Sequence, residues 1–471
     1  MPTPSLPAGL SKRTRLVAVA LAVLLQAMLL WIYYQPEPKG LVGDEIDYVR
    51  TARAIQQDEE GRIEPFRPPL YPVVLATLGV RAQNRWPVQL LQLALLIVAA
   101  LAVRSLGLHL FEAPRAGDLA ALGMLLYPTL GAFSHYLWPE ILHLALWVGV
   151  VWILATRKKT PGWLALAGLL LATAILTRHL LLLFLPAVAV ALWLDSATER
   201  VRRLAWFLVP MALVLTSATW IDWRADGRLL SASSARFNLW VGLNDQSRKS
   251  FEQPIAYGEY ETYLASAETP AERDRILAEK TRALVAHEGW LSVLGGQLGR
   301  QYFRLFDKDS FLTEQLPGGA MHGTAFTLME APQSEPPSRL PTAVRPRGYR
   351  MTPGAFSGLM GPFAASLRIA NYAIYAALLA LTTWGIAASR PGSSRWLQLI
   401  LAFLVYNLAI FLVLHVKSRY RLQLAPFLFL FAGLGLDRLT SEGWTPPSSR
   451  EWAALGAATL LLFFAFGGPF L

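Results

Sequence analysis

Runs of about twenty apolar residues, separated by short basic connections, constrain the fold of this chain more than any other feature. A bilayer span needs roughly 20 such residues, and runs of that kind lie at 15–34, 86–106, 119–137, 138–155, 163–177, 180–194, 204–223, 367–388, 396–414, 422–439 and 452–470. They predict an all-α polytopic membrane protein of about eleven transmembrane helices by that length criterion. The fifth and sixth share one nearly continuous run, broken only by Arg178 and His179. The first run is too long for a secretory signal and lacks a small-x-small cleavage site, so it reads as an uncleaved anchor.

Composition agrees with this. Only 16% of the 471 residues are charged and 54% are hydrophobic, where a soluble domain carries about a quarter charged. An ordinary cytosolic enzyme is thereby excluded. The formal charge of +11 resides mainly in short loops, which makes membrane topology a better account of it than nucleic-acid binding. The chain has no Cys, which rules out disulfides, zinc ribbons and thiol catalysis. Its seven His show no H-x-x-x-H pair, and no internal repeat is evident.

Lys and Arg mark cytoplasmic loops. The N-terminus, Arg104 with Arg115, Arg157 to Lys159, Arg200 to Arg203, Arg390 with Arg395, and Arg438 with Arg450 all fall on one side if every span crosses. The opposite face then receives 35–85, the turns near Trp138, Arg178 and Lys417, and a long connection at 224–362. This divides the chain into an N-terminal membrane module at 1–223, whose first outer loop at 35–85 carries an acidic motif, an outer loop or small domain at 224–363, and C-terminal helices at 364–471. Within the long connection, apolar residues recur at helical spacing from Ala271 to Phe306, giving an amphipathic segment that lies on the membrane or packs on the bundle. The Pro-rich stretch at 332–353 reads as a flexible flap.

Five features on the outer face can carry chemistry. GDEIDYVRTARAI, 43–55, places an acidic pair at a helix start beside the bilayer, suited to deprotonating a hydroxyl delivered there. The structural alternative is a helix cap by Asp44, with Asp47 three residues on. PFRPPLYPVV, 65–74, holds Arg67 before two prolines, where it meets a lipid phosphate or snorkels to headgroups. HYLWPEILHLAL, 135–146, begins a span with Glu140, which helix-dipole chemistry also explains. ILTRHLLLLFLP, 175–186, places Arg178 and His179 between apolar runs, where a buried cation needs an anionic partner. HVKSRYRLQLAPF, 415–427, carries Lys417, Arg419 and Arg421 on the outer face against the general bias, so a phosphate partner explains them better than topology.

In this order the motifs resemble the bacterial polyprenyl-phosphate-sugar-dependent branch of the C-type membrane glycosyltransferases, which includes aminoarabinose transferases and protein mannosyltransferases. The segment FNLWVGLND, 237–245, is similar to an N-x-x-x-G-N stretch of that branch. The resemblance implies a C-type bundle with amphipathic periplasmic helices and one long periplasmic loop, set in the bacterial inner membrane with the active site facing the periplasm. It implies Asp44 as general base with Glu45 beside it and Glu140 as second acidic residue. Arg67, Arg178, Lys417, Arg419 and Arg421 would bind the donor phosphate, and Tyr48, Tyr71, His179 and Tyr420 would line the substrate. No cofactor is assigned; a divalent metal ion is left open, because Phe66 stands where the aminoarabinose transferases have an acidic residue and Glu64 lies two positions earlier. The expected partners are a polyprenyl (undecaprenyl) monophosphate sugar, a glycan, lipid or protein acceptor, and membrane lipids.

Two rivals stay open. A flippase for a lipid-linked glycan uses the same cations without making a bond, and expects midplane charges and repeat symmetry. An O-antigen ligase or polymerase uses a pyrophosphate donor and key Arg and His residues in a large outer loop, where Arg248 and His287 lie. Whether Asp44 and Glu140 share one cavity discriminates among these.

Overall fold

The computed structural model describes residues 9–34, 40–57, 67–80, 84–226, 233–244, 262–263, 265–319, 325–328, 349–352, 361–390, 392, 394–441 and 448–467. All eleven apolar runs carry helix. The first half contains α1 (Lys12–Tyr34), α2 (Glu45–Gln56), α3 (Leu70–Thr77), α4 (Trp86–Phe111), α5 (Pro114–Leu126), α6 (Pro128–Phe133), α7 (Glu140–Thr156), α8 (Pro161–Thr177), α9 (Leu185–Leu194) and α10 (Arg200–Asp226). The second half contains α11 (Ser233–Asn244), α12 (Pro270–Glu288), α13 (Trp290–Arg300), α14 (Phe311–Gln315), α15 (Gly361–Ala388), α16 (Arg395–Ile410), α17 (Ala425–Ser441) and α18 (Ser449–Phe466). Among the described residues, α1, α4, α10, α15 and α18 are long and apolar enough to cross a membrane, and α7, α8, α16 and the 179–194 segment are shorter apolar helices.

Two sequence expectations need correction. The run at 119–137 is not one helix: Tyr127 is extended ahead of Pro128, since a proline disfavours the helical conformation in the residue before it. The amphipathic stretch at 271–306 breaks at Gly289, whose φ of +77° suits glycine and separates α12 from α13. The all-α class stands; beside the helices, Ala325–Leu328 and Tyr349–Thr352 form one short antiparallel ribbon, β1 and β2, with Leu328 opposite Tyr349. Most of the expected flap, 332–348, falls outside the described residues, as do Glu64, Phe66 and Arg248.

Packing centres on α17, which is buried along most of its length. A Cβ at Gly433 would strike the Ala116 carbonyl of α5, and one at Gly435 the Leu381 carbonyl of α15; small residues at such crossings let helix backbones meet closely. Aromatic rings then tie α17 to its neighbours, with Trp147 5.1 Å from Phe403 and Phe403 5.7 Å from Phe427. Helix direction places the site. Helices α7 and α17 begin, and α8 ends, at the same end of the bundle, while Arg104 pairs with buried Asp118 at 2.6 Å and Arg115 with Asp437 at 3.6 Å at the other. The basic connections thus gather opposite the acidic motif, as their alternation along the sequence required.

Candidate functional site

Gly43, with φ of +54°, turns the chain into α2 and leaves Asp44 as its first flanking residue. Asp44 makes no capping hydrogen bond with its side chain, so the structural alternative fails. The carboxylate instead receives Arg67 Nη2 at 2.7 Å on Oδ1 and Arg419 Nη2 on Oδ2. Arg67 also reaches Asp47 at 3.0 Å and lies 5.8 Å over the Tyr48 ring. Burial works to raise the Asp44 pKa, but Arg419, Arg67 and Lys417 outweigh it and hold the group far below the ordinary carboxylate range.

Glu140 opens α7, its backbone following Pro139 in helical geometry. Its Oε1 accepts from Arg178 Nη2 at 2.8 Å and lies 3.9 Å from Arg419 Nε. Arg178 is extended where α8 stops, which releases its side chain toward Glu140. Arg419 therefore stands between the two carboxylates, and Asp44 and Glu140 belong to one cluster. Glu140 Oε2 is buried without a hydrogen-bond partner among the described residues.

The floor is aromatic. Arg419 lies 4.8 Å over the Trp138 ring and 5.6 Å over Tyr420, and Arg178 lies 5.4 Å over Tyr420. Trp138 is packed edge-on against Phe311 of α14 at 4.3 Å, and Tyr420 stacks on Phe411 at 5.4 Å. Planar guanidiniums held on ring faces lose little further freedom when they bind an oxyanion.

Three expected site residues are committed elsewhere. Glu45 is fully buried and accepts the backbone N–H groups of Val42 at 2.8 Å and Leu137 at 2.7 Å. It clips the start of α2 to the segment before Glu140. Tyr71 donates to Gln92 Oε1 at 2.9 Å, and Gln92 in turn donates to the Ser134 and Tyr136 carbonyls, so Tyr71 fastens α3 to α4. Arg421 donates to the carbonyls of Asp307 and Leu305 and lies 4.1 Å over Tyr375, which anchors the segment after α13. His179 begins a 3-10 turn next to Arg178, and the ligase reading's His287 is exposed on α12.

Other residues of the site carried no signal in the sequence. Trp138 stands in the quoted HYLWPE stretch, yet nothing in its spacing distinguishes a guanidinium platform from a core ring. Gln297 and Gln301, one turn apart on α13 and just beyond it, donate to the carbonyls of Leu414 at 2.8 Å and Gly242 at 2.9 Å. They hold the turn that leads to Lys417 and Arg419. Glu314 is buried beside Lys417 and Arg421, and burial followed by the charges of Asp309 and Asp307 pushes its pKa up to about 8. Among the described residues no three His, Asp or Glu side chains converge as a metal site would require. Arginines occupy the positions where a cation would face Asp44 and Glu140.

Residues 67–223, which include Arg67, Glu140 and Arg178, match the family model described as dolichyl-phosphate-mannose-protein mannosyltransferase. Over this segment, about a third of the chain, the sequence is similar to that family. The motif order read from the sequence had pointed to a branch that includes protein mannosyltransferases. Among solved structures, the oligosaccharyltransferase AglB of Archaeoglobus fulgidus, in complex with an inhibitory peptide and a dolichol-phosphate, is 11% identical with a TM-score of 0.44, covering 97% of this chain and 55% of that one. ArnT of Cupriavidus metallidurans bound to undecaprenyl phosphate is 14% identical with a TM-score of 0.41, covering 96% and 78%. The chain thus spans about half the length of the archaeal protein. No curated protein sequence matches it.

Proposed function

We propose that this chain is a membrane glycosyltransferase that moves a sugar from a polyprenyl monophosphate, undecaprenyl phosphate in a bacterial envelope, to an acceptor hydroxyl at the periplasmic face. The observation that carries the reading is the arrangement around Arg419: a carboxylate with no capping role, two guanidiniums on it, and a second carboxylate in reach of the same guanidinium. Neither a helix cap nor a snorkelling arginine accounts for that cluster.

The chemistry balances with the groups present. The acceptor hydroxyl attacks the anomeric carbon and gives its proton to Asp44, while the bond from that carbon to the phosphate oxygen breaks and polyprenyl phosphate leaves. Attack from the face opposite the phosphate inverts the anomeric configuration. Arg67, Arg178 and Arg419 stabilise the charge growing on the leaving phosphate, which is commonly the largest contribution in such a site. In the resting site Asp44 is a poor base, because two arginines hold its charge. A donor phosphate draws on the same guanidiniums, and weakening their hold raises the carboxylate's basicity. Donor binding thereby arms the base before the acceptor reacts. Glu140 keeps Arg178 and Arg419 in place throughout.

On this reading residues 1–223 supply the acidic residues and two arginines, 364–471 supply Lys417 and Arg419, and 224–363 supports that turn and faces the acceptor. The test is transfer from polyprenyl-phosphate sugars by purified protein in liposomes. Loss of Asp44 as a base should abolish release of polyprenyl phosphate; a chain that moves labelled lipid between leaflets without cleaving it would be the flippase instead.

A further inference from the structure

His415 lies two residues before Lys417 in the connection between α16 and α17, and the catalytic steps above make no use of it. Its surroundings fix its hydrogen-bonding state. Val416 N–H, which can only donate, lies 3.2 Å from one amide atom of Gln301, so that atom is the oxygen. The other, Nε2, then faces the Gly242 carbonyl at 2.9 Å, as a donor should. His415 Nδ1 is 3.2 Å from the same Gln301 oxygen and must therefore carry the proton.

The opposite nitrogen follows. Burial, then the charges of Lys417, Arg304 and Arg419, keep the ring from taking a second proton, so Nε2 presents a bare lone pair. That atom is buried and has no hydrogen-bond partner among the described residues. A buried acceptor left unsatisfied costs stability, about 1–3 kcal/mol, and such groups are generally retained for a ligand or a role. The register behind it is tight. A Cβ at Gly242 would lie 2.6 Å from His415 N and 2.5 Å from Leu414 C, so α11 sits directly against this turn, and His415 N–H donates to Asn238 O at 2.8 Å. The ring therefore does not drift.

We infer that His415 Nε2 accepts a hydrogen bond from a hydroxyl of the donor's sugar, with Gln301 as the positioning residue that sets its tautomer. The chemistry selects the ligand. A phosphate oxygen is an acceptor and has nothing to offer a lone pair, and the nearby cations already serve it; a sugar carried on that phosphate brings hydroxyl donors to the same place. The inference rests on the transferase reading and names what recognises its sugar.

Deoxy analogues of the polyprenyl-phosphate sugar, each lacking one hydroxyl, test it in liposomes with wild-type and His415→Asn chains. Asparagine keeps an N–H for the Gln301 oxygen and lacks the second nitrogen, so it preserves the turn; Gln301→Leu, which removes the oxygen that sets the tautomer, serves as a second variant. One analogue is expected to lower kcat/KM about tenfold in the wild type, a factor of ten corresponding to about 1.4 kcal/mol, and to cause no further loss in His415→Asn. In Gln301→Leu the same analogue should show a reduced penalty. Equal penalties for every analogue in wild type and His415→Asn overturn the assignment while leaving the transferase intact. If the wild type consumes no donor at all, the transferase reading fails and the His415 assignment falls with it.

Discussion

At the scale of single residues, the site depends on which carboxylates are tied to backbone and which to arginine. Asp44 and Glu45 are neighbours of the same charge, yet one is held by two guanidiniums and the other accepts two backbone N–H groups, with Arg85 farther off at 3.8 Å. The sequence marked both as acidic and nothing more, because side-chain direction at a helix start depends on where the segment before Glu140 passes. Glu45→Ala should therefore destabilise the fold by roughly 2–5 kcal/mol, since it orphans two buried donors, and Asp44→Ala, which leaves the Arg67 and Arg419 guanidiniums without their carboxylate, should also lower thermal stability. Thermal unfolding of the detergent-solubilised variants checks both. Arg419 has a stricter requirement, because it faces Asp44 and Glu140 together while lying on Trp138. A lysine keeps the charge but not the planar fork, so Arg419→Lys should lose at least about tenfold in kcat/KM, the scale of one 1.4 kcal/mol interaction, and initial rates of transfer measure it.

At the scale of elements, α13 was legible as an amphipathic helix but its role was not. Val293, Gln297 and Gln301 face inward, while Trp290 and Leu291 are exposed; an exposed apolar face on a helix beside a membrane is suited to the lipid interface. Of the two alternatives left open by the sequence, packing on the bundle is the one its inner face realises. The glutamines that hold the 411–416 turn are ordinary polar residues in the sequence, and their partners on that turn lie more than a hundred positions away. Beside that turn, α14 carries Glu314, whose pKa of about 8 exceeds its ordinary value because burial and two aspartates oppose its charge. A raised carboxyl pKa means that the folded state binds the proton more tightly than the unfolded one. Stability contributed by the protonated form is fully present below the unfolded pKa of about 4.5 and is lost as pH rises through about 8. Glu314→Gln should flatten the decline in unfolding midpoint between pH 5 and pH 8, to which comparison of midpoints across that range is sensitive.

At the scale of the molecule, hydropathy gave the helices and charge alternation their direction, since span length and loop charge are local properties. What they did not give is how closely helices approach. Gly433 and Gly435 lie at crossings where carbonyls of α5 and α15 occupy the space of a Cβ, and their importance is visible only once the partners are known. Gly435→Val should prevent α15 and α17 from closing, reducing the yield of folded protein in size-exclusion chromatography. The layout has a functional result: the acidic motif after α1, the arginine ending α8 and the arginine before α17 come from distant parts of the chain and meet at one end of the bundle.

The central claim is that Asp44, armed by release from its arginines, removes the acceptor's proton as the sugar leaves its lipid phosphate. Asp44→Asn tests this most directly, because it keeps the shape of the side chain and removes the base. The measurement is release of polyprenyl phosphate from a panel of radiolabelled polyprenyl-monophosphate sugars in liposomes, with wild type and variant side by side at matched folding. The account predicts release by the wild type and loss of turnover, by at least about a hundredfold in line with general-base contributions, in the variant. Turnover by Asp44→Asn at the wild-type rate would contradict it.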